Sequence, residues 1–115
     1  MRVLLVEENS EVLKAIESFL IRSNYLPYCV SSVSEALKVL DSFDLVITSS
    51  FKSNDQICLG NQCVERDIFC IYFTAKSNIP DEEYWSFDMV VGKPSINYLI
   101  KILKKSNLRR KLWVS

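Results

Sequence analysis

The stretch "FDLVITSSF", Phe43 to Phe51, decides how this chain is read. Asp44 opens it, Leu45, Val46 and Ile47 form an unbroken apolar run, and Thr48, Ser49 and Ser50 follow. An apolar run without alternation is a strand covered on both faces, which belongs inside a parallel sheet flanked by helices. Its far end offers hydroxyls and no charge.

Working outward, the same texture recurs. Arg2–Val6 is a strand-like run followed by "EENS". A helical period begins at Val12 and continues through Leu13, Ile16, Phe19 and Leu20. Asn9 or Ser10 can cap this helix, and Asn24 can end it in a left-handed conformation. Tyr25–Val30 reads as a strand, and Pro27 suggests an edge. "SVSE", Ser32 to Glu35, is a capping box ahead of Val33, Ala36, Leu37 and Leu40. Beyond the opening stretch, Ile68–Phe73 and Met89–Val91 are further strands, and Ser95 caps a last helix carrying Ile96, Leu99, Ile100 and Leu103. Two connections look reduced. Ser50 to Arg66 holds Gly60 and Asn61 and no clean helical period, and "DEEYWSF" after Pro80 allows about two turns. The third and fourth helices are therefore expected to be shortened.

Five strands alternating with helices make a doubly wound α/β sandwich. The 115 residues suit one domain, and 49% apolar content suffices for its core. No apolar run approaches the roughly 18–20 residues of a membrane span. The N-terminus does not read as a signal peptide, so a cytoplasmic location is expected. Cys29 and Cys70 sit in strand-like runs and read as small buried hydrophobes. Cys58 and Cys63 are spaced for a metal, but the chain has no histidine, and reduced thiols are the better reading. Net charge is zero, yet seven cations and no acid follow Met89. Such asymmetry marks either a solvated last helix or a basic tail that meets nucleic acid, membrane or an acidic partner.

In doubly wound sheets ligands bind beyond the carboxyl ends of the strands. Glu7 and Glu8 follow the first strand, Ser49 and Ser50 the third, Thr74 the fourth, and Lys93 and Pro94 the fifth. This ordered set resembles the receiver domains of two-component response regulators, the CheY-like family, over about residues 1–106. "VLLVEEN" is similar to the acidic-pair segment, "DLVITS" to the segment ending in the phosphoaccepting aspartate, "FTA" to the hydroxyl switch segment and "GKP" to the lysine segment. The resemblance implies a flavodoxin-like, five-stranded parallel sheet of order 2-1-3-4-5. It also implies Mg²⁺ held by the acidic pair and the acceptor carboxylate, and phosphoryl transfer from a histidine kinase as in a phosphorelay.

Carried over by position, Glu7 and Glu8 are the acidic pair, Thr74 the switch hydroxyl and Lys93 the lysine. The phosphoacceptor position is Ser49, and the aromatic switch position is Val90. A serine hydroxyl is a poor nucleophile without a base, and no histidine is present to supply one. Glu8 stands where the family has a shorter aspartate. Mg²⁺ binding is therefore expected to be weak or absent, no other cofactor is implied, and Lys93 is expected to pair with Glu7 or Glu8.

The expected function is that of an atypical pseudo-receiver in signal transduction, acting through protein partners, a homodimer among them, without aspartyl phosphorylation. Tyr84 and Trp85 in "DEEYWSF" are the candidate partner surface. The alternative is the receiver part of a transcription regulator. Residues 107–115, with "LRRKL", would then lead to a DNA-binding output domain beyond Ser115; direct binding by so short a tail would be non-specific and salt-dependent. An enzyme is not expected. Glu7 and Glu8 repel the phosphate of a flavin cofactor, and a serine hydrolase needs a histidine.

Overall fold

A computed structural model describes residues 1–49, 53–74 and 89–92. The strands are β1 (Val3–Val6), β2 (Pro27–Val30), β3 (Leu45–Thr48), β4 (Phe69–Thr74) and β5 (Met89–Gly92). The helices are α1 (Ser10–Arg22), α2 (Val33–Val39) and α3 (Ser53–Glu65), and one 3-10 turn, Leu40–Ser42, follows α2. The strands form a parallel sheet in the order β2-β1-β3-β4-β5.

The apolar runs form this sheet because both of its faces are covered. Every residue of β1 and β3 is buried. Alternation sends Leu4, Val6, Val46, Cys70 and Tyr72 to one side, where they meet Val33 and Ala36 of α2 and Leu59 and Cys63 of α3. Val3, Leu5, Ile47, Ile71 and Phe73 go to the other side and meet Ile16 and Leu20 of α1. β2 lies at an edge, as Pro27 suggests.

Local signals set the ends of the elements. The Asn9 side chain accepts hydrogen bonds from the backbone N–H groups of Glu11 and Val12 at 3.0 and 3.1 Å, closing the start of α1. Asn24 takes φ 70° just past the end of α1. Ser32 accepts from Glu35 N–H at 3.1 Å, which is half of the expected capping box. The Glu35 carboxylate turns instead to the Ser31 hydroxyl at 3.5 Å.

One expectation is corrected. The third helix is not shortened: α3 runs for 13 residues, the same length as α1. Its buried positions are Gln56, Leu59, Gly60 and Cys63, spaced i, i+3, i+4, i+7 as a core-facing helix requires. Two of the four are a glutamine and a glycine, so the apolar period was hidden while the geometry was intact. The same helix separates the two thiols that looked spaced for a metal. Five residues place Cys58 and Cys63 roughly 140° apart around the axis. Cys58 is exposed and Cys63 is buried in the core, so they cannot share an ion. The expected fourth and last helices lie outside the described residues.

Candidate functional site

The order β2-β1-β3 makes the chain reverse direction across the sheet at β1, so a crevice opens beyond the carboxyl ends of β1 and β3. Pairing continues past both strand ends. Ser49 N–H donates to the Val6 carbonyl at 3.0 Å, and Glu7 N–H donates to the Val30 carbonyl at 3.1 Å. These bonds set Ser49 beside Glu7.

The acidic pair is split. Glu7 is buried, 4% exposed, and its Oε2 accepts the Asn9 backbone N–H at 3.1 Å. Glu8 is exposed and lines a cleft of about 520 Å³ together with Ser31, Ser32, Asp55 and Cys58. One carboxylate thus turns inward beside Ser49 and the other faces a cleft between the starts of α2 and α3.

Ser49 is 2% exposed, and its Oγ has no hydrogen-bond partner among the described residues. A buried hydroxyl left unsatisfied costs about 1–3 kcal/mol. The backbone around it is held by a side chain that the sequence reading missed. Thr48 Oγ1 donates to Gln56 Oε1 at 3.0 Å, and Gln56 Nε2 donates to the Ser49 carbonyl. Thr48 and Gln56 are fully buried. Gln56 therefore clamps the first turns of α3 to the end of β3. The only sequence signal for it was its spacing from Leu59 and Cys63, and a glutamine there reads as surface.

A second unforeseen pair lies on the α1 side. Cys29 Sγ donates to Glu17 Oε2 at 3.3 Å. Burial, then this hydrogen bond and the negative charge of Glu17, push the Cys29 thiol up to about 12. Cys29 is thus a half-buried hydrogen-bond donor and not a fully buried hydrophobe. Burial alone also raises the Tyr25 phenol above its ordinary range.

Of the remaining expected site positions, Thr74 ends β4 and Val90 lies in β5, and backbone register pairs Thr74 with Gly92 at the same carboxyl edge. Lys93, Tyr84, Trp85, Ser50 and residues 107–115 lie outside the described residues, and so does the lysine of the expected ion pair with Glu7 or Glu8.

The sequence matches no protein-family model and no curated protein. Solved structures resemble it strongly. The response regulator TrrA of Thermotoga maritima, solved with Mg²⁺ and BeF, aligns with a TM-score of 0.80 at 24% identity over 90% of this chain and 96% of its own. A CheY-like receiver domain of Methylobacillus flagellatus aligns at 0.77 and 20% identity over 91% of this chain and 97% of its own. The fold is that of a response-regulator receiver domain. An atypical orphan response regulator, described as having a phosphorylation-independent regulatory mechanism, shares this receiver fold at a TM-score of 0.71 and 24% identity, over 88% of this chain and 90% of its own. Among the described residues, no helix is long and apolar enough to cross a membrane.

Proposed function

We propose that this chain is a receiver-like binding module in signal transduction that works without phosphorylation of an aspartate. The single observation that carries the reading is Ser49. It follows β3 and lies beside Glu7, at the position that the resemblance to receiver domains matches to the phosphoaccepting aspartate, and it is a buried hydroxyl. A seryl oxygen would need a base to attack a phosphodonor, and the chain has no histidine. At 2% exposure the hydroxyl is also closed to a protein kinase, which argues against modification by another enzyme.

The donor set does not fit Mg²⁺ well. A hard divalent cation wants several oxygen donors in an octahedron, preferably charged. Here the acceptor position gives a neutral oxygen, the Glu7 carboxylate is engaged by the Asn9 N–H, and Glu8 turns to the cleft. Mg²⁺ is therefore weakly bound or not bound, and the chain is not an enzyme. Val90 in place of an aromatic residue removes a second moving part. A protein partner, or a second copy, meets the face carrying Tyr84 and Trp85, and the setting is cytoplasmic.

Intact-mass measurement after incubation with Mg²⁺ and acetyl phosphate tests this directly. An unchanged mass supports the reading, and a stoichiometric phosphoryl adduct overturns it. The charge asymmetry favours a second reading, a regulatory part of a DNA-binding transcription regulator. An open reading frame that continues past Ser115 into a basic output domain would decide for it.

A further inference from the structure

At the end of the sheet opposite Ser49 lies a groove of about 830 Å³, formed by the start of β1, the α1–β2 turn and Phe43. Its size falls within the usual range of ligand sites. Five large hydrophobic residues are exposed among the described residues, and three of them, Met1, Leu26 and Tyr28, line this groove. Ile21 is a fourth, and its carbonyl accepts the Asn24 N–H in the same turn. Scattered exposed hydrophobics are ordinary, but a cluster marks an interaction surface. Leu26, at 83% exposure, gains almost nothing from the fold.

The charge of the groove is equally distinctive. None of its lining residues is acidic, although the chain before Met89 carries twice as many acids as bases. The Arg2 guanidinium lies 5.2 Å from the centroid of the Phe43 ring and has no carboxylate within ion-pair distance among the described residues. The Asp44 carboxylate, on the side of the neighbouring strand β3, accepts the Arg2 backbone N–H at 2.8 Å and not its guanidinium. Tyr28 packs its ring 5.8 Å from the same Phe43. A guanidinium held over an aromatic face keeps its N–H edge available for a carboxylate in a two-pronged bond. Strand addition at β2 is disfavoured, because Pro27 lacks an N–H and blunts the edge. Recognition therefore runs through side chains.

We propose that this groove docks an acidic, apolar linear segment of a partner protein, with a carboxylate on Arg2 and apolar side chains over Leu26 and Tyr28. The inference is independent of the reading of Ser49, and each can fail without the other. The test is amide NMR of the full chain, titrated with a panel of capped octapeptides that alternate glutamate with leucine, phenylalanine or tyrosine. A matched panel carries lysine in place of glutamate. Saturable shifts at Arg2, Leu26, Tyr28 and Phe43 with the acidic panel are expected, with no response to the basic one. Arg2→Gln should weaken binding about tenfold, the worth of one charge-assisted hydrogen bond. Leu26→Ser, at a position too exposed to disturb folding, should weaken it as well. The proposal is overturned by silence at millimolar peptide, by equal binding of the basic panel, or by affinity unchanged in both variants. Groove shifts that vary with protein concentration in peptide-free samples would also overturn it, since they would assign the surface to a second copy.

Discussion

Replacing Gln56 with leucine tests the clamp that holds the end of β3. The substitution preserves approximate volume at a fully buried position but removes both hydrogen-bonding ends of the amide. Two buried groups then lose their partners. The Thr48 hydroxyl loses its 3.0 Å acceptor, and the Ser49 carbonyl loses the Gln56 amide as donor. Each orphaned group costs about 1–3 kcal/mol. The hydroxyl retains a long 3.4 Å contact to the Ser49 carbonyl, which offsets part of this, and the apolar leucine side chain recovers about 1 kcal/mol more. A net loss of about 2 kcal/mol is expected. At about 4 °C per kcal/mol for a domain of this size, the Tm falls by about 8 °C. Urea denaturation followed by circular dichroism gives the free energy, and Thr48→Val completes a double-mutant cycle. Thr48→Val alone strands the Gln56 carbonyl oxygen, whereas the double variant leaves only the Ser49 carbonyl unsatisfied. The double variant should therefore lose less than the sum of the single losses by about 1 kcal/mol. A loss under about 0.5 kcal/mol for Gln56→Leu, or strict additivity, would refute the clamp.

Other expectations concern the acceptor position and the thiols. Ser49→Asp puts a new carboxylate beside the buried Glu7, and the two like charges disfavour each other. The variant should melt several degrees below the parent and recover part of that loss in millimolar Mg²⁺, while the parent Tm ignores Mg²⁺. A variant Tm indifferent to Mg²⁺ would contradict the placement of Ser49. In alkylation with iodoacetamide at pH 8, followed by peptide mass mapping, exposed Cys58 should react first and Cys29 should lag far behind. Glu17→Leu removes both the acceptor and the charge, two of the three causes that raise the Cys29 pKa, so its alkylation should accelerate, and equal rates in parent and variant would sink the pairing. Because the Cys29 pKa is raised from 9.0 to about 12, the fold favours the neutral thiol. That contribution is whole below about pH 9 and is lost progressively as pH rises toward 12.

The sheet was legible because its signals are local. Unbroken runs such as Leu45–Ile47 declare a strand covered on both faces, and Asn9, Asn24 and Ser32 act within a few residues of their own positions. α3 was less legible because Gln56 and Gly60 occupy two of its four core-facing positions. At Gln56 a polar partner, Thr48, replaces the apolar contact that periodicity looks for. The site divided in the same way. Ser49 follows from strand position alone, and the register between β1 and β3 brings it beside Glu7. The opposite fates of Glu7 and Glu8 were not legible, since adjacent residues with one chemistry differ only in how the strand end turns. The Cys29–Glu17 bond joins a helix to an edge strand twelve residues on, a pairing that no local pattern announces.

The proposed function requires that the position just past β3, Ser49, takes no phosphoryl group. Its most direct test is an amide NMR titration of the full chain with Mg²⁺ and beryllofluoride, which mimics a phosphorylated aspartate. Glu7, Glu8, Ser49 and Lys93 are expected to keep their shifts at all concentrations of the mimic. Saturable shifts centred on those residues would contradict it and would make Ser49 part of a working phosphoryl site.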